Sequence, residues 1–498
     1  MAVPASIIVV GSGVFGLSTA YAMSRDARFA DTKLVLVDRW DFEPDSATSS
    51  VQNPGAANAD TSRIIRRDYP HGPYAALACE AREHWRAEFG ENNRYVEQRL
   101  LFSAEGCSLE RPKKDGETIN YIKNAYALSC EITPNGKDGL KILDSLSEIR
   151  SELGISSSLP RSLSAEEDKE INRLRGYISD DCGWANAGVS IEWLRQQVIR
   201  LGRVEFRTGQ VENLVFTSDK QQVQGVRLVD GAVITADLTI IAAGSQSPHI
   251  LGMPNLCDVY SEVVAYIQLS EDEADELRRR NWPLIVNAHR GVFTTGPDHD
   301  NCLKLGHFSH SGMVDVLRSA GIELGSRTDM SESSPDQQWK NPNFGWGGDV
   351  TLSERGDVVD YESDKMLKTL ADYRVFLLEL LGPSALEGWS TRDHDQAKSD
   401  SVLNSIAVRP FARVRKCWYT DTPSLDFIVD YHPSYGKSLF VATGGNDHAF
   451  KFLPIIGEKV IAIALHHRGV ASASPAPQAN PSVEELCHLW RFPVELLK

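Results

Sequence analysis

The sequence predicts an α/β fold: a Rossmann-like domain assembled from separate stretches of chain, with a mixed or antiparallel sheet domain inserted into it. Three observations predict it. The chain opens on an apolar run, a glycine turn, a helix and a second apolar run. A further buried run, ending in the small residues Ala243 and Gly244, lies far downstream. The stretch from about 251 to 416 alternates polar and apolar residues without strand–helix–strand regularity.

The opening carries most of the weight. SIIVV at 6–10 is continuously apolar, as a strand buried on both faces must be. Gly11-Ser12-Gly13-Val14-Phe15-Gly16 follows, then an apolar helix over 17–23 and a second strand over 34–37 that ends at Asp38-Arg39. Strand, glycine turn, helix, strand and acid in this order form the dinucleotide fingerprint. Gly11 permits the tight turn, Gly13 lets backbone approach a pyrophosphate at the helix N-terminus, and Gly16 lets helix and strand pack closely. Asp38 can accept from ribose hydroxyls; Ser12, Val14, Phe15 and Arg39 complete this candidate contact set.

Further along, 48–60 reads as a polar loop, and 105–150 shows no clear pattern. Residues 164–174 and 190–198 read as helices, the second capped at Ser190. Strands are expected over 204–209 and 211–216, with Val211 in the candidate nucleotide set. A hairpin is expected over 225–234 and a buried strand over 237–244. In the middle, 262–269 and 290–294 suggest antiparallel strands, 340–349 a loop and 364–381 a helix. A strand over 438–443 meets Gly444-Gly445 before a helix over 456–466. A proline-rich linker covers 471–481 and a short amphipathic tail 483–489. The domains drawn from this are 1–90, 165–250 and 417–470 for the nucleotide, 91–164 and 251–416 for the substrate, and 471–498 as linker and tail.

Bulk properties narrow the function classes. A chain of 498 residues exceeds what one core usually serves. The net charge of −16 argues against nucleic acid or an anionic membrane as partner. No apolar run reaches membrane-spanning length, and the first residues read as a strand, not a signal peptide. Eight scattered cysteines without a CxxC pair suggest neither a zinc site nor a disulfide framework, so no metal is expected. A reducing, cytoplasmic location is expected, and Glu495-Leu496-Leu497-Lys498 is not a peroxisomal Ser-Lys-Leu tail.

The dinucleotide could be NAD or FAD, and three features favour FAD. One is the strand ending at Ala243-Gly244. Another is the turn Thr443-Gly444-Gly445-Asn446-Asp447-His448, which can present N–H groups to the electron-rich edge of a flavin. The third is Arg415-Lys416-Cys417-Trp418-Tyr419-Thr420-Asp421-Thr422-Pro423.

The segments GSGVFGLSTAYAM, SRIIRRDYPHG, GWANAGVSIEWL, CLKLGHF, RKCWYTDTPSLDFIVDYHP and ATGGNDHAFKFLPIIG occur in this order. Together they resemble the monomeric sarcosine oxidase family, which includes fructosyl amino acid oxidases (amadoriases) and fungal pipecolate and saccharopine oxidases. CWYTDTP and FKFLP look most like the fungal members. The likeness spans nearly the whole chain and is specific for family, not for substrate. It implies a Rossmann-like FAD-binding domain, a small-molecule amine substrate, dioxygen as partner and a monomer. It further implies that Cys417 bonds the flavin covalently and that Lys304, in CLKLGHF, activates dioxygen. Arg63, with Ser62 and Ile64 beside it, resembles an arginine lying over the flavin. Arg66 and Lys451 match positions that pair with a substrate carboxylate, a task suited to cations. Tyr419 and His448 match residues on the substrate side.

Several departures bear on substrate. Amadoriases carry a lysine where Arg63 stands. The family has Ser-Gly-His or Cys-Gly-His where this chain has Asn446-Asp447-His448. The family histidine two residues after glycine falls at Phe308, with His307 one position earlier. The stretch between Lys304 and Cys417 is long. The resemblance therefore implies oxidation of an N-methyl or N-alkyl amino-acid-like amine to an iminium that is hydrolysed or captured by a phenol, as in fungal isoquinoline alkaloid assembly. A fructosyl amino acid, saccharopine or pipecolate substrate is the alternative. An NAD-dependent dehydrogenase, or a flavin-binding sensor without catalysis, are the rivals; neither makes use of both Cys417 and Lys304.

Overall fold

The computed structural model describes residues 2–42, 56–105, 121–132, 139–155, 174–288, 290–307, 349–351, 364–381, 401–470 and 481–497. Among them, six strands form a sheet in the order Ile428–Tyr431, Leu439–Thr443, Leu238–Ile241, Ser6–Val10, Lys33–Asp38, Val204–Thr208. Only the first pair runs antiparallel. Side-chain alternation splits this sheet between two cores. Ile7, Val9, Leu34 and Leu36 pack with helices Val14–Arg25, Ala187–Leu201 and Ile456–His467. Ile8, Val10, Val35 and Val37 pack against an antiparallel sheet of Val211–Phe216, Val223–Leu228 and Val233–Thr235. Burial on both faces explains why these runs are apolar throughout.

Nine strands form the second, mixed sheet: Asp349–Thr351, Arg413–Asp421, Asp258–Gln268, Cys302–His307, Val292–Thr295, Leu284–Asn287, Leu100–Glu105, Leu174–Ser179, Leu140–Leu143. Leu284–Asn287 and Leu100–Glu105 pair in parallel; the other neighbours are antiparallel. On one face Val263, Ala265, Leu303 and Leu305 pack under helices Glu271–Arg279, Asp364–Leu381 and Ser401–Val408. The opposite face of the same strands buries Tyr266, Cys302, Lys304, Cys417 and Tyr419. A small sheet of Arg63–Ile65, Gly183–Ala185 and Tyr95–Glu97 carries Arg63.

The expected α/β fold with a mixed sheet is present, and several details differ from the sequence reading. The boundary drawn between 416 and 417 cuts the strand Arg413–Asp421, every residue of which pairs with Asp258–Gln268. Leu174–Ser179, placed in the nucleotide half, also pairs in the mixed sheet. Partners this distant leave no local mark on composition. The helix expected at Ser190 begins at Ala187, because the Asn186 side chain caps it by accepting from Val189 N at 3.3 Å. The stretch 105–150 contains helices Tyr121–Ile132 and Leu146–Glu152. Most of the helix expected over 164–174, of the loop over 340–349 and of the 471–481 linker lies outside the described residues; Leu174 and Asp349, which are described, each begin a strand. The tail is not loose: its helix Val483–Leu489 carries a capping box, Trp490 is fully buried, and Trp490 Nε1 donates to the Tyr74 hydroxyl at 3.1 Å.

Gly16 shows how tightly the first turn is built. A Cβ there would lie 1.9 Å from the Gly11 carbonyl oxygen. Gly16→Ala is expected to lower stability by about 1–3 kcal/mol through overpacking. A thermal midpoint equal to that of the unsubstituted protein would show that the turn relaxes freely.

Candidate active site

A cavity of about 220 Å³ is lined by residues of both large sheets. Its lining includes Gly11, Ser12, Gly13, Val14 and Phe15 from the glycine turn, Asp38 and Arg39 at the end of the second strand, and Val211, Ala243 and Gly244. Gly11 has φ +98°, a conformation that favours glycine. A Cβ on Gly13 would meet only Asn58 Oδ1, at 3.9 Å, and one on Gly244 would meet nothing within 4 Å, so the backbone there lies open. Asp38 Oδ2 accepts from Ser12 N at 2.7 Å and Ser12 Oγ at 2.6 Å, which fixes the carboxylate at the rim. Gln246 also lines the cavity; both ends of its buried amide lack a partner among the described residues.

The lining also includes Trp418, Tyr419 and Thr420 and the turn residues Gly445, Asn446 and Asp447. Asn446 and Asp447 have φ 46° and 54°, the left-handed region that short polar residues tolerate best. Asn446 ties this turn to the mixed sheet: its N donates to Thr420 O at 3.0 Å, and its Oδ1 accepts from Thr422 N at 2.7 Å. The turn does not feed the long helix directly. A short 3-10 turn, Ala449–Phe452, intervenes, because Pro454 has no N–H with which to continue a helix.

Beside the cavity lies a buried charge cluster. Arg63, which lines the cavity, pairs with Asp60, whose side chain is wholly buried. Asp60 also accepts from Lys304 Nζ at 2.6 Å and from the Tyr266 hydroxyl at 2.7 Å. Lys304 Nζ donates to Ser62 O at 2.8 Å as well. Burial opposes the Asp60 charge, but Arg63, Lys304 and Arg415 outweigh it and hold the carboxyl far below the usual range. Burial brings Lys304 down to about 8; Asp60 opposes that fall and Arg63 adds to it. Arg415 reaches Cys417 Sγ at 3.4 Å and donates to Ala56 O at 2.9 Å.

A second pair of cations surrounds Tyr69. Arg66 Cζ lies 5.1 Å and Lys451 Nζ 5.0 Å from its ring centre. Lys451 Nζ donates to the Tyr69 hydroxyl at 2.6 Å and to His448 O at 3.1 Å, both neutral oxygens. Burial, then Arg66, push the Lys451 amine well below its ordinary value; Asp447 opposes them. His448 is held neutral by burial and by Lys451, and its Nδ1 lies 3.0 Å from the Tyr69 hydroxyl. With Lys451 donating to that hydroxyl, the tyrosine proton points to His448.

Of the residues singled out by sequence, most gather at this cavity, and some do not line it. Gly16 serves packing. Ile64 packs in a core with Phe102 and Trp184. Ser62 is buried, with its hydroxyl 2.7 Å from Thr295 Oγ1. Lys304, matched to an oxygen-activating lysine, does not line the cavity: its ammonium points at Asp60. Cys417 is 1% exposed and clusters with Tyr266 and Tyr419, next to three cavity residues in sequence. His448 stacks on Phe427 with ring centres 4.8 Å apart. Arg66 and Lys451 sit around Tyr69, as described. His307 meets Tyr373 edge-on at 5.0 Å, and Phe308 lies outside the described residues. Sequence reasoning missed Asp60, Tyr266, Arg415 and Gln246. An acid three residues before Arg63 was the one available signal.

An α/β fold whose glycine turn opens on a cavity, with Arg63 in its lining and a buried charge cluster beside it, fits a flavin-type oxidoreductase. Residues 6–463 match the family model described as FAD dependent oxidoreductase, DAO, and the chain belongs to that family. It is an FAD-dependent oxidase of CH–NH donors with oxygen as acceptor. It is 64% identical to an amino acid oxidase, fsqB, of Aspergillus fumigatus over 498 residues, 100% of both chains. It is 46% identical to an amino acid oxidase, imqH, of Aspergillus flavus, over 99% of this chain and 98% of that one. Among solved structures, fructosyl amine:oxygen oxidoreductase (amadoriase I) of Aspergillus fumigatus superposes with a TM-score of 0.62 at 20% identity, covering 100% of this chain and 91% of that one. This last likeness is one of fold. The site residues fit FAD: open backbone at Gly13 and Gly244, the unpartnered Gln246 amide and the Asp38 rim suit a dinucleotide.

Proposed function

We propose that this protein oxidises the C–N bond of a secondary, N-methyl or N-alkyl amino-acid-like amine to an iminium, with dioxygen becoming hydrogen peroxide. The observation that carries the reading is the placement of Arg66 and Lys451 together around Tyr69. Lys451 there donates to the Tyr69 hydroxyl and to the His448 carbonyl, while burial and Arg66 depress its amine. A substrate carboxylate beside them would favour the charged form of Lys451 and offer the Arg66 guanidinium a planar anion.

FAD, when bound, supplies acceptance of two electrons from the donor carbon and their delivery to oxygen. The residues of this chain supply the rest. Gly11, Gly13 and Asp38 would hold the adenosine half; Asn446 and Asp447 border the other half. Cys417 is the residue that would anchor the cofactor covalently, with Arg63 over its ring system. Lys304 would serve the oxygen step as a fixed cation. Tyr419 bounds the substrate side, and neutral His448 orients the Tyr69 hydroxyl. No strong base is needed if the amine binds deprotonated. The iminium is then hydrolysed or captured intramolecularly by a phenol.

The test is anaerobic bleaching of the bound flavin by paired amines, each with and without its N-methyl group, phenolic amino acids included. Bleaching by the N-methyl partner alone is expected, and product mass then separates demethylation from ring closure. A flavin that dithionite reduces but neither partner bleaches would remove the N-methyl substrate.

A further inference from the structure

We propose that Asp60 is the positioning residue of the oxygen step: its buried carboxylate fixes the Lys304 ammonium in place and keeps it charged. The inference rests on Lys304 being the cation of that step and adds what maintains it.

Geometry carries the argument. Lys304 is 1% exposed, and its ammonium is held at 2.6 Å by Asp60 Oδ2 and at 2.8 Å by the Ser62 carbonyl. Asp60 is itself immobilised. Its Oδ1 accepts from the Tyr266 hydroxyl at 2.7 Å and from Thr61 N at 2.7 Å, and its Oδ2 also takes Arg63. The charged and titratable groups facing the pair are Arg63 on the small sheet, Tyr266 on Asp258–Gln268, and Arg415 and Cys417 on Arg413–Asp421. Arg63, Lys304 and Arg415 thus all act on one carboxylate. If that charge is removed, burial and like-charge repulsion disfavour every cation. A guanidinium does not give up its proton, whereas an amine does. The lysine is therefore the member that neutralises. Asp60 is also linked to the cofactor space: it follows Ala56, Ala57 and Asn58, which line the cavity, and precedes Arg63, which does too.

The experiment follows reoxidation of dithionite-reduced holoenzyme by dioxygen across pH, and so needs no amine. In the unsubstituted enzyme, the rate should fall as pH rises through a midpoint near 8, where Lys304 loses its proton. Asp60→Asn should lower that midpoint by roughly 1–3 pH units, so that at pH 8 reoxidation slows about fivefold or more. Lys304→Met should be slow at every pH, and Asp60→Asn should slow it no further, since residues acting through one group are not additive. An unchanged midpoint in Asp60→Asn, or equal slowing in both backgrounds, overturns the proposal. Fast reoxidation in Lys304→Met would instead overturn the underlying role of the lysine, and the proposal with it. If Asp60→Asn yields no folded holoenzyme, Tyr266→Phe decides. It leaves the carboxylate with one donor fewer, so the lysine midpoint should rise; an unmoved or lowered midpoint overturns the proposal.

Discussion

Cys417→Ser protein, precipitated with acid, is expected to release all of its flavin into the supernatant, and the unsubstituted protein to keep its flavin in the pellet. The reasoning starts from the thiol. Cys417 is buried on the strand whose next three residues line the cavity, and Arg415 lies 3.4 Å from its sulfur. Sulfur is the nucleophile such a bond requires. A serine hydroxyl of the same shape is far too weakly acidic to replace it, so the change removes the bond and spares the packing. The measurement is absorbance of pellet and supernatant, with the mass of the peptide containing Cys417 as a second reading. Release of flavin from both proteins would show that Cys417 is a packing residue. The sulfur also matters beyond retention, because a thioether raises the potential of the flavin. Slower bleaching by substrate is therefore expected in the serine variant even when its site is saturated with free FAD.

Lys304→Met is expected to slow reoxidation of the reduced enzyme about a hundred- to a thousandfold, the scale of losing one preorganised charge beside developing negative charge. Anaerobic bleaching by amine should change far less, since Lys304 touches Asp60 and Ser62 and not the Tyr69 cluster. Removing one partner of a buried ion pair commonly costs about 3–5 kcal/mol. Here Arg63 remains paired with Asp60, which tempers that loss. Stopped-flow measurement of each half-reaction checks the split. Equal slowing of both halves would point to general damage and not to a role in the oxygen step.

The parallel sheet and its glycine turn were legible because their determinants are contiguous: SIIVV, the three glycines and Asp38 lie within one short stretch. The relation of Lys304 to Asp60 was not, because the two are 244 residues apart and meet only through the tertiary fold. The sequence said that Lys304 leaves the face of Leu303 and Leu305; it could not say that a carboxylate would meet it. The helix Tyr121–Ile132 was readable in part. Ile122, Ala125, Tyr126 and Ser129 recur at helical spacing, and all are buried. Polar surroundings on both sides obscured that signal. The cap at Asn186 was hidden for a different reason. Ser190 is also a good capping residue, but its hydroxyl bonds back to Asn186 O at 2.6 Å from inside the helix.

The order of strands in the parallel sheet also governs how the molecule comes into being. Ser6–Val10 and Lys33–Asp38 can pair soon after they leave the ribosome, but the other side of Ser6–Val10 waits for Leu238–Ile241. That strand in turn waits for Leu439–Thr443. Contacts this distant form slowly, and an open apolar strand edge invites association with other chains in the meantime. The nascent chain thus carries an unfinished edge through most of its synthesis. The nucleotide cleft, whose lining includes both Gly11 and Gly445, first exists when translation has passed that last strand and its turn, so cofactor capture waits for them.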